Sequence, residues 1–179
     1  MPRISAVTLN NADATIAATL NGVKAKIGMI PNLFATFALA PAALNGYLAF
    51  SDSLSKGRLN ARQREVVALA VSQVNSCQYC LSAHTMLGKG AGMSEACTLD
   101  ARHGKASDPL ENAIAAFAVK VARQHGMVSD DELNAAKKSG LDDALIVEVI
   151  ANVAFTVLTN YTNNVAKTDV DFPIVKVEL

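Results

Sequence analysis

Eight residues in the middle of the chain combine side chains that can carry out thiol chemistry. They run from Cys77 to His84 and read CQYCLSAH, with the second cysteine at Cys80. Cysteines three residues apart lie on one face of a helix, and a histidine four residues later returns to that face. Thiols in the first turn of a helix lie near unpaired N–H groups and the positive end of the helix dipole, which favour the thiolate. Because two such thiols can form a disulfide and a histidine can move a proton, the segment suits a dithiol–disulfide redox cycle.

Two other interpretations of these side chains stay open at this point. As structural residues, the cysteines would be small buried hydrophobes and His84 a hydrogen-bonded core histidine, the usual role of a lone Cys or His. As metal ligands, they could form part of a structural zinc module, since Cys77-x2-Cys80-x16-Cys97-x5-His103 has nearly the right spacing. The glycine and proline of a zinc knuckle are absent. We therefore expect no metal ion and no bound cofactor, and we assign Cys97 no role in the chemistry. No glycine pattern indicates a nucleotide site.

The helices that must position the motif are predicted from apolar spacing and from residues typical of helix ends. Asn60 is predicted to cap a helix over residues 61–74, and Ser76 is predicted to cap a second helix over residues 77–89. A short turn between them would let the helices pack antiparallel, which brings Glu65 of the first towards the second. Further helices are predicted at 11–27, 33–39 and 42–54, after Ser94, from Asp108 to about Gly126, from Ser129 to Gly140, and from Asp142 through Asn160. Since no segment alternates as a strand does, the predicted fold class is all-α.

Composition agrees with packed helices and excludes several classes of function. Of the 179 residues, 31 are alanine and 51% are hydrophobic, which is too apolar for a disordered chain. The net charge is zero, so there is no electrostatic reason to expect nucleic acid or an anionic membrane as a partner. No signal-like segment or continuous apolar run of about 20 residues is evident, so we expect a cytoplasmic protein. A surface poor in charge favours self-association, so we expect a homo-oligomer of one domain, residues 1–179.

The chain also contains a weak internal repeat. Aligning Glu65 with Glu148 pairs the region of the redox motif, residues 65–84, with a second unit at about residues 142–168. In the second unit the reactive positions carry other side chains: Asn160 for Cys77, Asn163 for Cys80 and Lys167 for His84. If the repeat is real, two similar helical units are present and only the first carries reactive chemistry.

The cysteines, His84 and a glutamate in the preceding helix form a pattern that resembles a family signature, Glu65-x11-Cys77-x2-Cys80-x3-His84. It is similar to that of the alkylhydroperoxidase D-like, peroxidase-related branch of the carboxymuconolactone decarboxylase superfamily. The resemblance extends over most of the chain, through residues 30–34 (IPNLF), Pro41 with the helix after it, residues 59–65 (LNARQRE) and residues 160–173 (NYTNNVAKTDVDFP).

This resemblance implies an all-α fold built on a helical hairpin, assembled as trimers or hexamers, and a thiol-dependent peroxidase activity. It assigns Cys80 as the thiolate that attacks a hydroperoxide and becomes a sulfenic acid, and Cys77 as the resolving thiol that forms the disulfide. His84 and Glu65 correspond to a proton relay. The implied partners are a small hydroperoxide and a thiol or dithiol reductant, either a protein or a lipoyl group.

The sequence departs from the family pattern at one position and leaves two other functions open. Alkylhydroperoxidase D has a histidine between the cysteines where this chain has Tyr79, which does not shuttle protons at neutral pH, so we expect a shorter relay and weaker turnover. One alternative is a lyase like the decarboxylase that names the superfamily, which uses acid–base chemistry and no cysteine pair. The other is a non-enzymatic redox sensor or stress adaptor. The apolar residues of 29–50 are assigned first to the core or a subunit interface, in preference to a substrate cavity.

Overall fold

The computed structural model describes all residues, 1–179, and contains nine α-helices and no β-strand. The helices are α1 (Ala14–Ile27), α2 (Asn32–Phe37), α3 (Pro41–Ser55), α4 (Ala61–Val74), α5 (Gln78–Gly90), α6 (Glu95–Arg102), α7 (Pro109–Arg123), α8 (Asp130–Lys138) and α9 (Asp143–Ala166). The predicted all-α fold class is therefore confirmed.

Most helices begin where a capping side chain marks the start in the sequence. At α4, Asn60 Oδ1 accepts a hydrogen bond from the backbone N–H of Gln63 (2.9 Å), and the Gln63 side chain accepts one from the N–H of Asn60 (3.0 Å). At α7, Asp108 Oδ1 accepts a hydrogen bond from the backbone N–H of Glu111 (2.9 Å), ahead of Pro109 in the first turn. These bonds satisfy N–H groups that a helix start leaves unpaired, so local sequence is sufficient to define these boundaries.

The predicted cap of α5 is wrong by one residue. Ser76 does not cap α5, because it adopts a left-handed conformation (φ 51°) that ends α4. The N–H of Ser76 donates to the carbonyl of Gln73 (3.2 Å), and that of Cys77 donates to the carbonyl of Ser72 (3.0 Å). This bond pattern is that of a Schellman turn. Since Ser76 is used to end α4, Cys77 becomes the N-cap of α5, and its sulfur accepts a hydrogen bond from the N–H of Cys80 (3.3 Å).

Helix α4 lies at the centre of the fold and packs against α5, α6, α7 and α9. Its residues from Val66 to Ser72 are all buried. On one side, α7, α8 and α9 close the largest apolar cluster around it. On the other side, α1, α2 and α3 cover the start of α5 in a second cluster that includes Cys77, Tyr79 and Cys80. The cysteines are thus part of the core and are not displayed on a loop.

Helix α9 is long and apolar enough to span a membrane by length and composition, although asparagines and threonines interrupt its apolar run. In the fold, one face of α9 packs against α4 and α7. That face is polar in part, and its buried polar residues are Asn152, Thr156, Thr159, Asn160 and Asn163. Most of these side chains are hydrogen-bonded, several of them to carbonyl groups one turn earlier in α9 itself. The asparagines and threonines that interrupt the apolar run in the sequence are therefore interior contacts.

A carboxylate of α9 holds the loop that leads into α4. Glu148 accepts hydrogen bonds from the backbone N–H groups of Arg58 (2.9 Å) and Leu59 (2.8 Å). Leu59 is fully buried. The carboxylate also lies directly against Gly57, where any Cβ atom would collide with it. Glu148 is the partner of Glu65 in the proposed repeat, but its contacts are with the backbone.

We expect Glu148→Ala to lower the free energy of unfolding by about 2–3 kcal/mol, because two N–H groups lose a charged acceptor. The midpoint of thermal unfolding should fall by roughly 4–12 °C. Glu148→Gln keeps one acceptor oxygen, so its midpoint should lie between those of the parent and Glu148→Ala. The control is Glu95→Ala, which removes a carboxylate that is 88% exposed. Equal melting curves for Glu148→Ala and the control would contradict this role.

Candidate active site

Helices α4 and α5 pack together and join Glu65 to His84. Glu65 Oε2 lies 2.7 Å from His84 Nδ1, and their side chains are only 18% and 22% exposed. Burial disfavours the protonated imidazole, but the charge of Glu65 and its hydrogen bond outweigh burial and raise the pKa of His84. Because Nδ1 is engaged by Glu65, Nε2 is the ring nitrogen left for proton exchange.

Cys80 lies one helical turn before His84 and is 2% exposed. Its sulfur accepts a hydrogen bond from Asn163 Nδ2 (3.3 Å) and lies 4.0 Å from Thr159 Oγ1, both on α9. Burial opposes ionisation of this thiol. The hydrogen bond with Cys77, the charge of His84 and the amides of Asn163 and Asn160 outweigh burial, and the pKa of the Cys80 thiol falls to about 6.

The two cysteines differ in their preferred ionisation state, which the sequence analysis did not foresee when it favoured the thiolate for both. The hydrogen bond with Cys80, followed by burial, raises the pKa of the Cys77 thiol above its ordinary value. Both cysteines are free thiols. The arrangement therefore favours the thiolate at Cys80 and the protonated thiol at Cys77.

An apolar cavity of about 220 Å³ opens onto Cys80 and His84 but not onto Cys77. Besides these two residues and Thr159, its wall is made of Ile27, Met29, Pro31, Leu33, Phe34, Tyr47, Tyr79, Ala83, Met86, Leu87 and Phe172. Part of the wall comes from residues 29–50, which the sequence analysis assigned first to the core or a subunit interface. Leu33, Phe34 and Tyr47 do pack in the apolar cluster around the start of α5, and they also face the cavity beside Cys80.

Tyr79, which lies between the cysteines, has a positioning contact. Its hydroxyl oxygen accepts a hydrogen bond from the backbone N–H of Leu33 (3.2 Å), and its ring meets Phe172 edge-on with centroids 5.5 Å apart. Burial is the main cause that raises the pKa of Tyr79, so the phenol stays neutral. The residue thus ties α5 to α2 and to the C-terminal segment, and its hydroxyl keeps its own proton at neutral pH.

The ligands of the zinc alternative are not assembled. No group of three or more His, Cys, Asp and Glu side chains lies close enough to hold a metal ion. Cys97 is in the first turn of α6, where hydrogen bonds from Ser94 and Arg62 lower the pKa of its thiol. His103 ends α6 as its C-cap residue.

Sequence reasoning did not assign a role to the α9 residues around Cys80. Asn163 and Thr159 contact the sulfur itself, whereas Asn160 binds Ser72 Oγ (3.1 Å) and Asn75 (2.9 Å) across the α4–α5 turn. A signal was present in the sequence, since polar residues recur at helical spacing on an otherwise apolar helix. The proposed repeat also places Asn163 at the position of Cys80. The repeat itself stays a prediction.

Comparisons with known proteins agree with this architecture. The model of the carboxymuconolactone decarboxylase family matches residues 40–123. The structure is similar to an uncharacterised peroxidase-related protein with an alkylhydroperoxidase AhpD core from Ralstonia eutropha JMP134, with a TM-score of 0.84 and 26% identity over 95% of this chain and 92% of that chain. A peroxidase-related protein from Silicibacter sp. TM1040 has a TM-score of 0.82 and 20% identity over 94% and 91% of the two chains.

A third similar structure is that of the debrominase Bmp8 in complex with 2,3,4-tribromopyrrole, with a TM-score of 0.78 and 14% identity over 94% of this chain and 91% of that chain. A comparison with curated proteins gives no significant match. The family match covers slightly under half of the chain, and the fold is similar to that of a protein with an alkylhydroperoxidase AhpD core.

The ionisation of Cys80 predicts the pH dependence of its reactivity. Because the thiolate is the reactive form and the pKa is lowered to about 6, alkylation should be fast above pH 7 and should decline as the pH falls through about 6. Labelling with iodoacetamide, followed by peptide mass spectrometry that distinguishes the cysteines, measures this profile. Cys77 should resist labelling throughout. A Cys80 rate that continues to rise up to pH 9, as for an ordinary thiol, would contradict the assignment.

Proposed function

We propose that the protein is a thiol-dependent peroxidase that reduces organic hydroperoxides through a Cys77–Cys80 dithiol–disulfide cycle. The observation that carries this proposal is that Cys80, the cysteine favoured as a thiolate, opens into the apolar cavity together with His84. Cys77 lies one turn away, its sulfur turned to the N–H of Cys80 and outside the cavity wall. The family match supports an enzyme of this class in the coarser sense.

In the first step, the Cys80 thiolate attacks one oxygen of the hydroperoxide. The S–O bond forms, the O–O bond breaks, and its electron pair leaves with the alkoxide. His84, whose pKa is raised by Glu65, gives the proton that turns the alkoxide into an alcohol. Cys80 is then a sulfenic acid.

In the second step, Cys77 loses its proton and attacks the Cys80 sulfur. The S–S bond forms and hydroxide leaves as water after taking up a proton. The sum is that one hydroperoxide and two thiols give one alcohol, one water and one disulfide. The cycle requires no bound cofactor, but an external thiol or dithiol, a reductant protein or a lipoyl group, must reopen the disulfide.

We further propose a cytoplasmic homo-oligomer, such as a trimer or hexamer, with no nucleic acid or membrane partner. What supports an assembly is a row of exposed apolar residues on α9: Val147, Ile150, Leu158, Tyr161 and Val165. Residues at these positions lie on one face of a helix, and exposed apolar faces favour contacts between chains. Analytical ultracentrifugation would measure the assembly directly.

We expect Cys80→Ser to abolish hydroperoxide consumption with dithiothreitol as reductant, because the attacking thiolate is gone. Cys77→Ser should consume only about one equivalent and accumulate the Cys80 sulfenic acid, trapped by dimedone. Mass spectrometry of the parent after one equivalent of cumene hydroperoxide should find Cys77 joined to Cys80. Cys97→Ser is the control and should behave as the parent does. Equal consumption by Cys80→Ser and the parent would show that the proposed activity is wrong.

A second candidate function is reductive dehalogenation of a halogenated aromatic ring. Two observations favour it: the aromatic side chains in the cavity wall, such as Phe34, Tyr47 and Phe172, and the fold shared with the debrominase Bmp8. Bromine would pass to the Cys80 sulfur while the ring carbon keeps the bonding pair and takes up a proton. Cys77 would then lose its proton and displace bromide, so that one aryl bromide and two thiols give one arene, one bromide, one proton and one disulfide.

Turnover of the two substrates by the same enzyme decides between the candidates. We expect consumption of cumene hydroperoxide to exceed bromide release from 2,3,4-tribromopyrrole by at least about tenfold in kcat/KM, a difference equivalent to about 1.4 kcal/mol in the barrier. Cys80→Ser serves as the blank for both reactions. Bromide release faster than hydroperoxide consumption would place dehalogenation first.

The remaining alternatives give other results in these assays. A lyase that works by acid–base chemistry would keep its activity after alkylation of every thiol. A redox sensor without enzymatic activity would react with hydroperoxide no faster than free cysteine does, while still forming the disulfide. A peroxidase loses activity on alkylation and reacts faster than free cysteine.

A further inference from the structure

Asn163 reaches the reacting sulfur from the other side of the core. It lies on α9, is 4% exposed, and its Nδ2 donates a hydrogen bond to Cys80 Sγ (3.3 Å). The other end of the same amide, Oδ1, is buried and has no hydrogen-bond partner. Buried polar atoms are nearly always paired, so an unpaired one calls for a reason beyond stability. The amide thus keeps its hydrogen on the sulfur although its own oxygen stays unsatisfied.

The neighbouring hydroxyl on α9 cannot do the same. Thr159 donates its hydroxyl hydrogen to the carbonyl of Thr156 (2.8 Å), so at 4.0 Å it faces Cys80 only as an acceptor. An acceptor favours the neutral thiol and a donor favours the thiolate. Of these two α9 contacts, the shorter one is therefore the one that stabilises the anion.

We propose that Asn163 is a further catalytic residue of this site, which donates its amide hydrogen to the Cys80 thiolate and thereby selects Cys80 over Cys77 as the nucleophile. The proposal rests on the peroxidase function given above, since it concerns the same sulfur. According to this proposal, which cysteine attacks depends on a contact between α5 and α9, two helices that lie far apart in the sequence.

The charged and titratable groups around Cys80 explain why a neutral donor is needed. From its own helix come His84, Cys77 and Tyr79, from α4 comes Glu65, and from α3 comes Tyr47, whose ring lines the same cavity. The positive charge of His84 is offset by Glu65 at 2.7 Å. Helix α9 contributes no charge beside the sulfur, only neutral amide and hydroxyl groups. An amide hydrogen stabilises the thiolate at every pH, because it does not itself titrate.

The test compares variants of the full chain by the pH profile of Cys80 alkylation. Asn163→Leu has similar size, removes the donor and keeps the site dry. We expect the midpoint of Cys80 alkylation to rise by one pH unit or more, the size expected for loss of a hydrogen bond to a charged group. Labelling at pH 6, close to the midpoint of the parent, should then slow at least about fivefold. The midpoint should rise further in Asn163→Asp, because the aspartate side chain has the same shape but can only accept hydrogen bonds. The ratio of Cys80 to Cys77 labelling should fall at least about fivefold in both variants.

Asn164→Leu is the matched control, because the adjacent side chain is exposed and its Nδ2 donates to the carbonyl of Asn75 (2.8 Å) instead of the sulfur. It should keep the midpoint of the parent. If Asn163→Leu does not fold, Asn163→Ser and Asn163→Ala replace it, and Ser, which keeps a hydroxyl donor, should lie closer to the parent than Ala. An unchanged or lowered midpoint in Asn163→Leu, or equal midpoints for Ser and Ala, would overturn the proposal.

Alkylation requires no peroxide, so this test is separate from the proposed function. Shifted midpoints in a protein that does not consume cumene hydroperoxide would leave Asn163 as the group that selects the reactive thiol and would refute the peroxidase activity. Rapid peroxide consumption with unshifted midpoints would refute the role of Asn163 alone.

Discussion

The turn between α4 and α5 determines where every reactive side chain of this protein lies. Ser76 takes a left-handed conformation, and the N–H of Cys77 donates to the carbonyl of Ser72, so α4 ends and α5 begins within three residues. A connection this short leaves antiparallel packing as the arrangement that buries both apolar faces. That packing brings Glu65 of α4 within 2.7 Å of His84 and makes the Cys77 sulfur the cap of α5.

A thiolate in this core must be stabilised locally, because burial alone would keep Cys80 protonated. The net charge of the chain is zero, so no general positive field assists. The stabilisation comes instead from Cys77, from the His84–Glu65 pair and from the amides on α9, each of which contacts or faces one sulfur. The hydrogen bond with Cys80 and burial raise the pKa of the Cys77 thiol, so the two cysteines differ in their preferred ionisation state.

The helix starts were predictable from sequence where a side chain caps its own helix, as at Asn60, Asp108 and Ser129. The prediction was wrong at Ser76, because two helices compete for the same residues and the end of α4 takes precedence over the start of α5. Glu65 and His84 were identified from their spacing in the sequence. A short turn between two adjacent helices fixes which residues of the two helices face each other, so such a pair can be predicted from its separation along the chain. Phe172 and the wall residues of α2 and α3 were missed, because an apolar side chain that lines a cavity has the same pattern as one that fills the core.

The sequence by itself determined the all-α class, the boundaries of the capped helices and the set of reactive side chains, because these depend on periodicity and on contacts between residues a few positions apart. Only the tertiary structure decided which cysteine favours the thiolate, where the cavity opens and that Asn163 contacts Cys80. The contact of Asn163 with Cys80 joins residues 83 positions apart. Such a contact follows from how α9 packs against α4 and α5, and that packing is a property of the whole core.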